Sequence, residues 1–156
     1  LYDEPFVVVV PKAHPLARRK SIGAEELKRE TMLLLGTGHC FRDHVLEVCP
    51  EFARFSSGAE GIRKSFEGSS LETIKHMVAA GMGITLVPRL SVPKSALVAK
   101  PKRGDDPYVR YLPFDGEPPM RRVVLAWRRS FTRYEAIAAL RNAIYACELP
   151  GVKRLS

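Results

Sequence analysis

The sequence predicts an α/β fold, in which strands alternate with helices along the chain. Two short apolar runs, "PFVVVVP" at 5–11 and "TMLLLG" at 31–36, have the length and composition of strands that are buried on both faces. A third such run, "GITLVP" at 83–88, comes directly after an amphipathic helical segment. Alternation of this kind is typical of domains in which helices cover a sheet.

The first half of the chain is expected to hold two strands and two helices. Its first elements are a strand at 5–11, a polar connection at 14–22, a short helix at 24–29 and a strand at 31–36. The turn "GTG" ends the second strand, and a helix is expected to begin close to Cys40. Phe41, Val45 and Val48 recur there at helical spacing, and Pro50 is expected to end the helix.

The clearest helix of the sequence is expected at 69–81. Ser69 and Glu72 match a capping box, and Gly81 is a natural stop. Its apolar stripe consists of Leu71, Ile74, Met77 and Val78. The other expected elements are strands at 52–58, 83–88, 108–114 and 121–128, a surface connection at 91–107 and an amphipathic helix at 133–149.

The composition limits the functional classes. The net charge of +8 comes from 25 Lys and Arg against 17 Asp and Glu, scattered along 156 residues. No recognition helix, zinc-finger spacing or aromatic platform accompanies it, so nucleic-acid binding by this chain itself is not expected. No segment resembles a membrane span or a signal peptide, and the odd count of three cysteines argues against a secreted disulfide framework. We therefore expect a cytoplasmic, thiol-reduced chain without membrane contact.

Cys40 and Cys49 lie nine residues apart in the stretch "GHCFRDHVLEVC". A structural zinc site would need two cysteines two to four residues apart and a second matching pair, so a metal held by these thiols with His39 and His44 is not expected. If residues 40–48 are helical, the two α-carbons are separated by about 13 Å. A disulfide needs them within about 7 Å. A bond between these two thiols therefore requires the helix to unwind.

The two thiols differ in position. Unpaired amide groups at a helix N-terminus and nearby cations stabilise a thiolate, and Cys40 has His39 and Arg42 beside it in sequence. Cys49 is expected at the other end of the helix. Cys40 is therefore expected to be the reactive sulfur and Cys49 the resolving one. On spacing alone a simpler interpretation stays open, in which both cysteines are small buried hydrophobic residues.

The cysteine-containing stretch, together with "LETIKHMVAAGMGITLVP" downstream, resembles the regulatory domains of the OxyR family of peroxide-sensing LysR-type transcription regulators. The resemblance covers nearly the whole chain, and the two cysteines with His39 are its most specific part. It implies that peroxide oxidises Cys40 to a sulfenic acid, which Cys49 converts into a reversible disulfide. It also implies that His39 helps to hold the peroxide, and that Arg122 lies near the reactive thiol, with Arg121 as the less favoured alternative. No cofactor is implied.

The same resemblance implies a periplasmic-binding-protein-like architecture of two α/β lobes joined by crossing strands. Residues 3–120 would form the second lobe with the redox cysteines, and residues 121–156 would supply a return strand and helix of the first lobe. The chain would be a C-terminal fragment without the winged-helix DNA-binding domain. The implied partners are hydrogen peroxide, further copies of the chain in a homotetramer, a thiol reductant such as glutaredoxin or thioredoxin, and, through the parent activator, DNA and RNA polymerase.

Two other functions stay open. The chain is alternatively a LysR-type effector domain that binds a small metabolite, in which case both cysteines are incidental and peroxide leaves them unchanged. A thiol peroxidase would need rapid turnover and a recycling partner, and no peroxidase motif occurs, so we do not expect an enzyme. Two further residues are expected to pack in the interior, namely Trp127 in an apolar strand and Cys147 near the end of the last helix.

Overall fold

The computed structural model describes residues 1–50, 65–97 and 107–155. Its strands are β1 (Tyr2–Pro11), β2 (Met32–Leu35), β3 (Ser65–Gly68), β4 (Thr85–Pro88), β5 (Val109–Leu112), β6 (Met120–Val123) and β7 (Lys153–Arg154). Its α-helices are α1 (Ala24–Leu27), α2 (Cys40–Val48), α3 (Leu71–Ala79) and α4 (Tyr134–Ala146). Short 3₁₀ turns lie at Pro15–Arg18, Arg89–Ser91 and Lys94–Leu97. Strands and helices alternate over the first half, as the sequence predicts.

The long strand β1 organises the sheet. Its residues 6–9 pair with β4 and its residues 8–11 pair with β5, so both of its edges are occupied. Its residues 2–5 pair with β6, and β7 joins at the same end. All of these pairings are antiparallel. The strands β2 and β3 pair in parallel, and a parallel bridge between Met32 and Ile84 places β2 beside the start of β4.

The hydrophobic core surrounds β1, which is buried on both faces as predicted. Val8, Val9 and Val10 are fully buried, and Phe6 and Val7 are 2% exposed. Residues from neighbouring elements complete this core, among them Leu27, Leu33, Phe41, Val45, Ile74, Val78, Leu86 and Leu112. One contiguous core therefore joins the sheet to α2 and α3, so the position of α2 depends on its packing against this core.

The structure confirms the predicted helix after Ser70 but corrects its cap. Ser70, rather than Ser69, is the N-cap, and its hydroxyl accepts a hydrogen bond from the amide of Thr73 at 3.1 Å. Glu72 is bonded instead to Lys75, 2.8 Å away. The absence of a side chain at Gly68 allows Ile74 of this helix to pack closely, because a Cβ atom at that glycine would lie 2.6 Å from the Ile74 side chain.

The strand predicted at 121–128 ends at Val123, and Trp127 is 52% exposed rather than part of the core. Cys147 is exposed as well, and its thiol donates to the carbonyl of Ala143 at 3.3 Å. These two packing predictions are wrong, because the described part of the chain leaves both side chains exposed. The strand predicted at 52–58 lies outside the described residues, whereas β3 was not predicted.

In the described ranges, no helix combines the length and the apolarity needed to cross a bilayer. Three exposed apolar side chains, those of Val124, Trp127 and Tyr134, line one groove together with the half-buried Ile137, and these four residues are called the C-terminal apolar face. The first three are 61%, 52% and 58% exposed. The helix α4 has no buried residue at all. An apolar face of this kind favours association in water.

We therefore expect the isolated chain to self-associate through the C-terminal apolar face. Removing two aromatic side chains, in Trp127→Ser with Tyr134→Ser, should weaken association at least about tenfold, because each large apolar side chain contributes roughly 1.5–3 kcal/mol when buried. Sedimentation velocity over a concentration series measures the change. Tyr108→Ser is the control, since Tyr108 is 66% exposed but lies outside this face. A sharp monomer with cooperative melting would contradict the expectation.

Candidate functional site

Cys40 is the first residue of α2, as the sequence predicts. The chain turns before it at Gly38, whose positive φ of 94° favours glycine. His39 is the N-cap residue, in extended conformation, and its side chain makes no capping hydrogen bond. The side chains of both His39 and Cys40 are exposed. The thiol of Cys40 thus stands at a helix N-terminus, with uncapped amide groups nearby and access from solvent.

Cys49 lies at the other end of the same helix in a different environment. It is the C-cap residue, its amide donates to the carbonyl of Val45 at 3.0 Å, and its side chain is fully buried. All three cysteines of the chain are thiols in this structure. The nine helical steps between Cys40 and Cys49 correspond to about 13 Å along the axis. The helix therefore keeps the two thiols apart, one exposed and one buried.

The inner side of α2 attaches the helix to the core. Phe41 is 7% exposed, Val45 is 2% exposed, and Val48 is half-buried. Arg42 is 5% exposed, and its Nη1 donates to the carbonyl of Leu35 at 2.9 Å, at the end of β2. Arg42, which is close to Cys40 in sequence, is therefore hydrogen-bonded to the end of β2. These contacts are what an unwinding of α2 would have to break.

His44 presents a polar atom to the apolar interior. Its Nδ1 is buried and makes no hydrogen bond with any described residue, and its ring centroid lies 6.4 Å from that of Phe6. Burial of such an atom without a partner costs free energy. No three His, Cys, Asp or Glu side chains in the described ranges are grouped as a metal site would require.

The two adjacent arginines of β6 contact different residues. Arg122 donates from Nε and Nη2 to the two carboxylate oxygens of Asp3, at 2.8 and 2.9 Å. That hydrogen bond is the main reason why the pKa of Asp3 is lowered and the pKa of Arg122 is raised. Arg121 instead lies over the ring of Phe41, with its Cζ 5.7 Å from the ring centroid. Neighbouring strand residues face opposite sides, so the geometry favours Arg121 over Arg122 as the arginine beside α2.

Glu4 is a residue of this region that the sequence analysis did not identify. It is fully buried, and its Oε2 lies 2.8 Å from Nη2 of Arg121, which is its cross-strand neighbour in the pairing of β1 with β6. A carboxylate directly before the apolar run "PFVVVVP" is a signal that could have drawn attention to it, because a buried charge needs a partner. Its partner could not be found without the strand register.

Comparison with known proteins places this geometry in a family. Residues 1–146 match the LysR substrate binding domain. The chain belongs to this family. Over 141 residues it is 38% identical to the DNA-binding transcriptional dual regulator OxyR of Escherichia coli K12, a match that covers 88% of the chain and 42% of that regulator.

Solved structures agree with this assignment. A reduced form of OxyR from N. meningitidis has a TM-score of 0.85 and 39% identity, over 100% of this chain and 68% of that one. The oxidised form of an OxyR has a TM-score of 0.67 and 34% identity, over 94% of this chain and 62% of that one.

The LysR substrate-binding domain family confirms the predicted fold class, an α/β effector domain of the periplasmic-binding-protein type. The similarity to OxyR confirms the resemblance that the stretch with the two cysteines indicates. The relatives are transcription regulators. The chain spans about 42% of the length of its Escherichia coli relative.

Proposed function

We propose that this LysR-type domain is the peroxide-sensing regulatory domain of a transcription regulator. The observation that carries the proposal is the arrangement of α2, which holds the exposed thiol of Cys40 at its N-terminus and the buried thiol of Cys49 at its C-terminal end. The helix α2 can therefore exist in two states, folded when both cysteines are thiols and unwound when they form a disulfide, because the disulfide cannot form while the helix is intact. The similarity to OxyR in both reduced and oxidised forms supports this function.

In the first step, the thiolate of Cys40 attacks one oxygen of hydrogen peroxide. The S–O bond forms, the O–O bond breaks, and the leaving hydroxide takes up the proton that the thiol released, so that water is the product. The sulfur of Cys40 is thereby oxidised to a sulfenic acid. Exposure of Cys40 admits the peroxide directly, without movement of the core.

In the second step, Cys49 resolves the sulfenic acid. Its thiol attacks the sulfur of Cys40, the S–S bond forms, the S–O bond breaks, and a second water leaves. Two thiols and one peroxide thus give one disulfide and two waters. Because Cys49 is fully buried one helix length away, this step follows only after α2 opens. A thiol reductant such as glutaredoxin or thioredoxin would return the disulfide to the thiol form.

Two side chains are proposed to assist the first step. His39 adjoins Cys40 and has no capping bond, so its ring is available to hold the peroxide or to polarise its oxygens. An arginine of β6 is proposed to provide positive charge near the reactive thiol. The family resemblance assigns this role to Arg122, which is bonded to Asp3, and Arg121, which contacts the ring of Phe41, is the alternative.

The wider assembly is proposed from the family. Residues 3–120 would form the second lobe, and 121–156 would return to the first lobe through β6 and α4. The C-terminal apolar face would then be covered by the remainder of that lobe. The parent protein is proposed to be a cytoplasmic homotetrameric activator, whose DNA-binding domain contacts DNA and RNA polymerase when the change in α2 alters subunit packing.

Stoichiometric peroxide is expected to remove two thiols per chain and to link Cys40 to Cys49. Peptide mapping by mass spectrometry after acid quenching and alkylation measures both quantities. Cys147 is exposed, so the matched control is Cys147→Ser, which should form the same disulfide to the same extent. Recovery of Cys147 in the bridge would show that the pairing is misassigned. Unchanged thiols after peroxide would favour the metabolite-binding alternative.

A further inference from the structure

The ring of Phe41 is held by contacts from two strands. Its centroid lies 5.2 Å from that of Phe6 on β1, with an edge-to-face angle of 86°. The guanidinium carbon of Arg121, on β6, lies 5.7 Å from the same centroid. Both geometries are favourable for an aromatic ring. Since Phe41 directly follows Cys40 in the first turn of α2, whatever fixes this ring also fixes the turn that carries the reactive thiol.

Glu4 fixes the guanidinium of Arg121 in that position. Its Oε2 accepts from Nε of Arg121 at 2.9 Å and lies 2.8 Å from Nη2, so the carboxylate receives two nitrogens of one fork. Its Oε1 accepts from the amide of Leu90 at 2.7 Å. Both oxygens of this fully buried carboxylate therefore have hydrogen-bond partners.

We propose that Glu4 is a positioning residue of the redox switch: through Arg121 it holds Phe41 in place and sets the balance between the thiol and disulfide forms. This inference rests on the proposed Cys40–Cys49 switch. The contacts of Phe41 exist only while α2 is folded, so they stabilise the thiol form. Weakening them shifts the equilibrium toward the disulfide. Glu4 takes no part in bond making, and its effect passes through Arg121 to Phe41.

The test is a redox titration of the protein at its full natural length. The wild type and its variants are equilibrated in glutathione buffers, and the ratio of disulfide to thiol at Cys40 and Cys49 is measured by mass spectrometry. Glu4→Gln removes the charge that orients Arg121 but retains an oxygen for the Leu90 amide. The ratio should rise about threefold to tenfold, the range expected when a partly desolvated cation–π contact is lost.

Asp3→Asn is the matched control for Glu4→Gln. Asp3 is the neighbouring carboxylate on the same strand, and it also pairs with an arginine of β6, but that arginine is Arg122, which is exposed. Asp3→Asn should leave the ratio unchanged. Equal shifts in Glu4→Gln and Asp3→Asn would overturn the proposal, because the effect would then be a general weakening of the pairing of β1 with β6.

A double-variant cycle tests whether Glu4 acts through the ring. Phe41→Leu should raise the ratio by itself, and adding Glu4→Gln should raise it no further. Shifts that multiply would show that Glu4 acts independently of Phe41, and the proposal would be wrong. If the Glu4→Gln variant does not fold, Arg121→Lys tests the same proposal. This substitution preserves the positive charge opposite Glu4 but removes the planar guanidinium group over the Phe41 ring. It too should raise the ratio.

The same titration separates the two proposals. A wild type that forms the disulfide, with variants that leave its equilibrium unchanged, would refute the role of Glu4 and leave the redox switch intact. A wild type that forms no Cys40–Cys49 disulfide at any glutathione ratio would refute both.

Discussion

Replacing Cys40 by serine should lower the rate of reaction with peroxide at least about a hundredfold, a loss of about 2.7 kcal/mol in transition-state stabilisation. The serine hydroxyl is not ionised near neutral pH and is a poor nucleophile, whereas a thiolate at the start of α2 is a good one. Stopped-flow mixing with peroxide, followed by quantification of remaining thiols, measures the rate. The reaction should be lost even though Cys49 and Cys147 are still present.

Cys49→Ser is the matched variant, and it should give a different result. The first step needs only the exposed Cys40, so the rate of peroxide consumption should stay within about threefold of wild type, or about 0.6 kcal/mol. The product should stop at a sulfenic acid, which dimedone traps as an adduct on Cys40. Equal loss of reactivity in the two variants would show that the roles of the two sulfurs are wrongly assigned.

Oxidation should unwind α2, and this is the largest structural change that we expect. Hydrogen exchange followed by mass spectrometry should show faster deuterium uptake in peptides that cover 41–48 after peroxide treatment. Peptides that cover α3, at Leu71–Ala79, provide the internal control and should exchange as before. The peroxide-treated Cys49→Ser variant should also keep slow exchange in α2, because a sulfenic acid alone imposes no new distance between residues 40 and 49.

The energetic cost of unwinding α2 should raise the reduction potential of the disulfide. Exposing Phe41 and Val45 costs about 1.5–3 kcal/mol each, or about 3–6 kcal/mol together. At about 30 mV for each 1.4 kcal/mol, the reduction potential of the disulfide should be raised by roughly 60–130 mV over an unstrained bond. A bond of this kind is comparatively easy to reduce, as reversibility requires. Slow exchange of α2 in a protein whose disulfide has been verified would contradict this mechanism.

Local sequence signals determined much of the secondary structure and the positions of Cys40 and Cys49 on α2. The run of valines in β1 is β-branched and apolar, so it predicted a strand that is buried on both faces, and the structure confirms this. The spacing of Phe41, Val45 and Val48 predicted α2, and helix geometry alone then placed Cys40 and Cys49 at opposite ends. These predictions needed no tertiary information, because periodicity and rise per residue are properties of one segment.

Only the tertiary structure decided which side chains meet. Arg121 and Arg122 are adjacent and chemically identical, and the choice between them depends on the register of β6 against β1, which places Arg121 opposite Glu4 and Arg122 opposite Asp3. The exposure of Trp127 likewise depends on whether another element covers it, which its apolar neighbours in sequence cannot show. Pairings across more than a hundred residues are set by how strands align in space, and no local pattern of residues records that alignment.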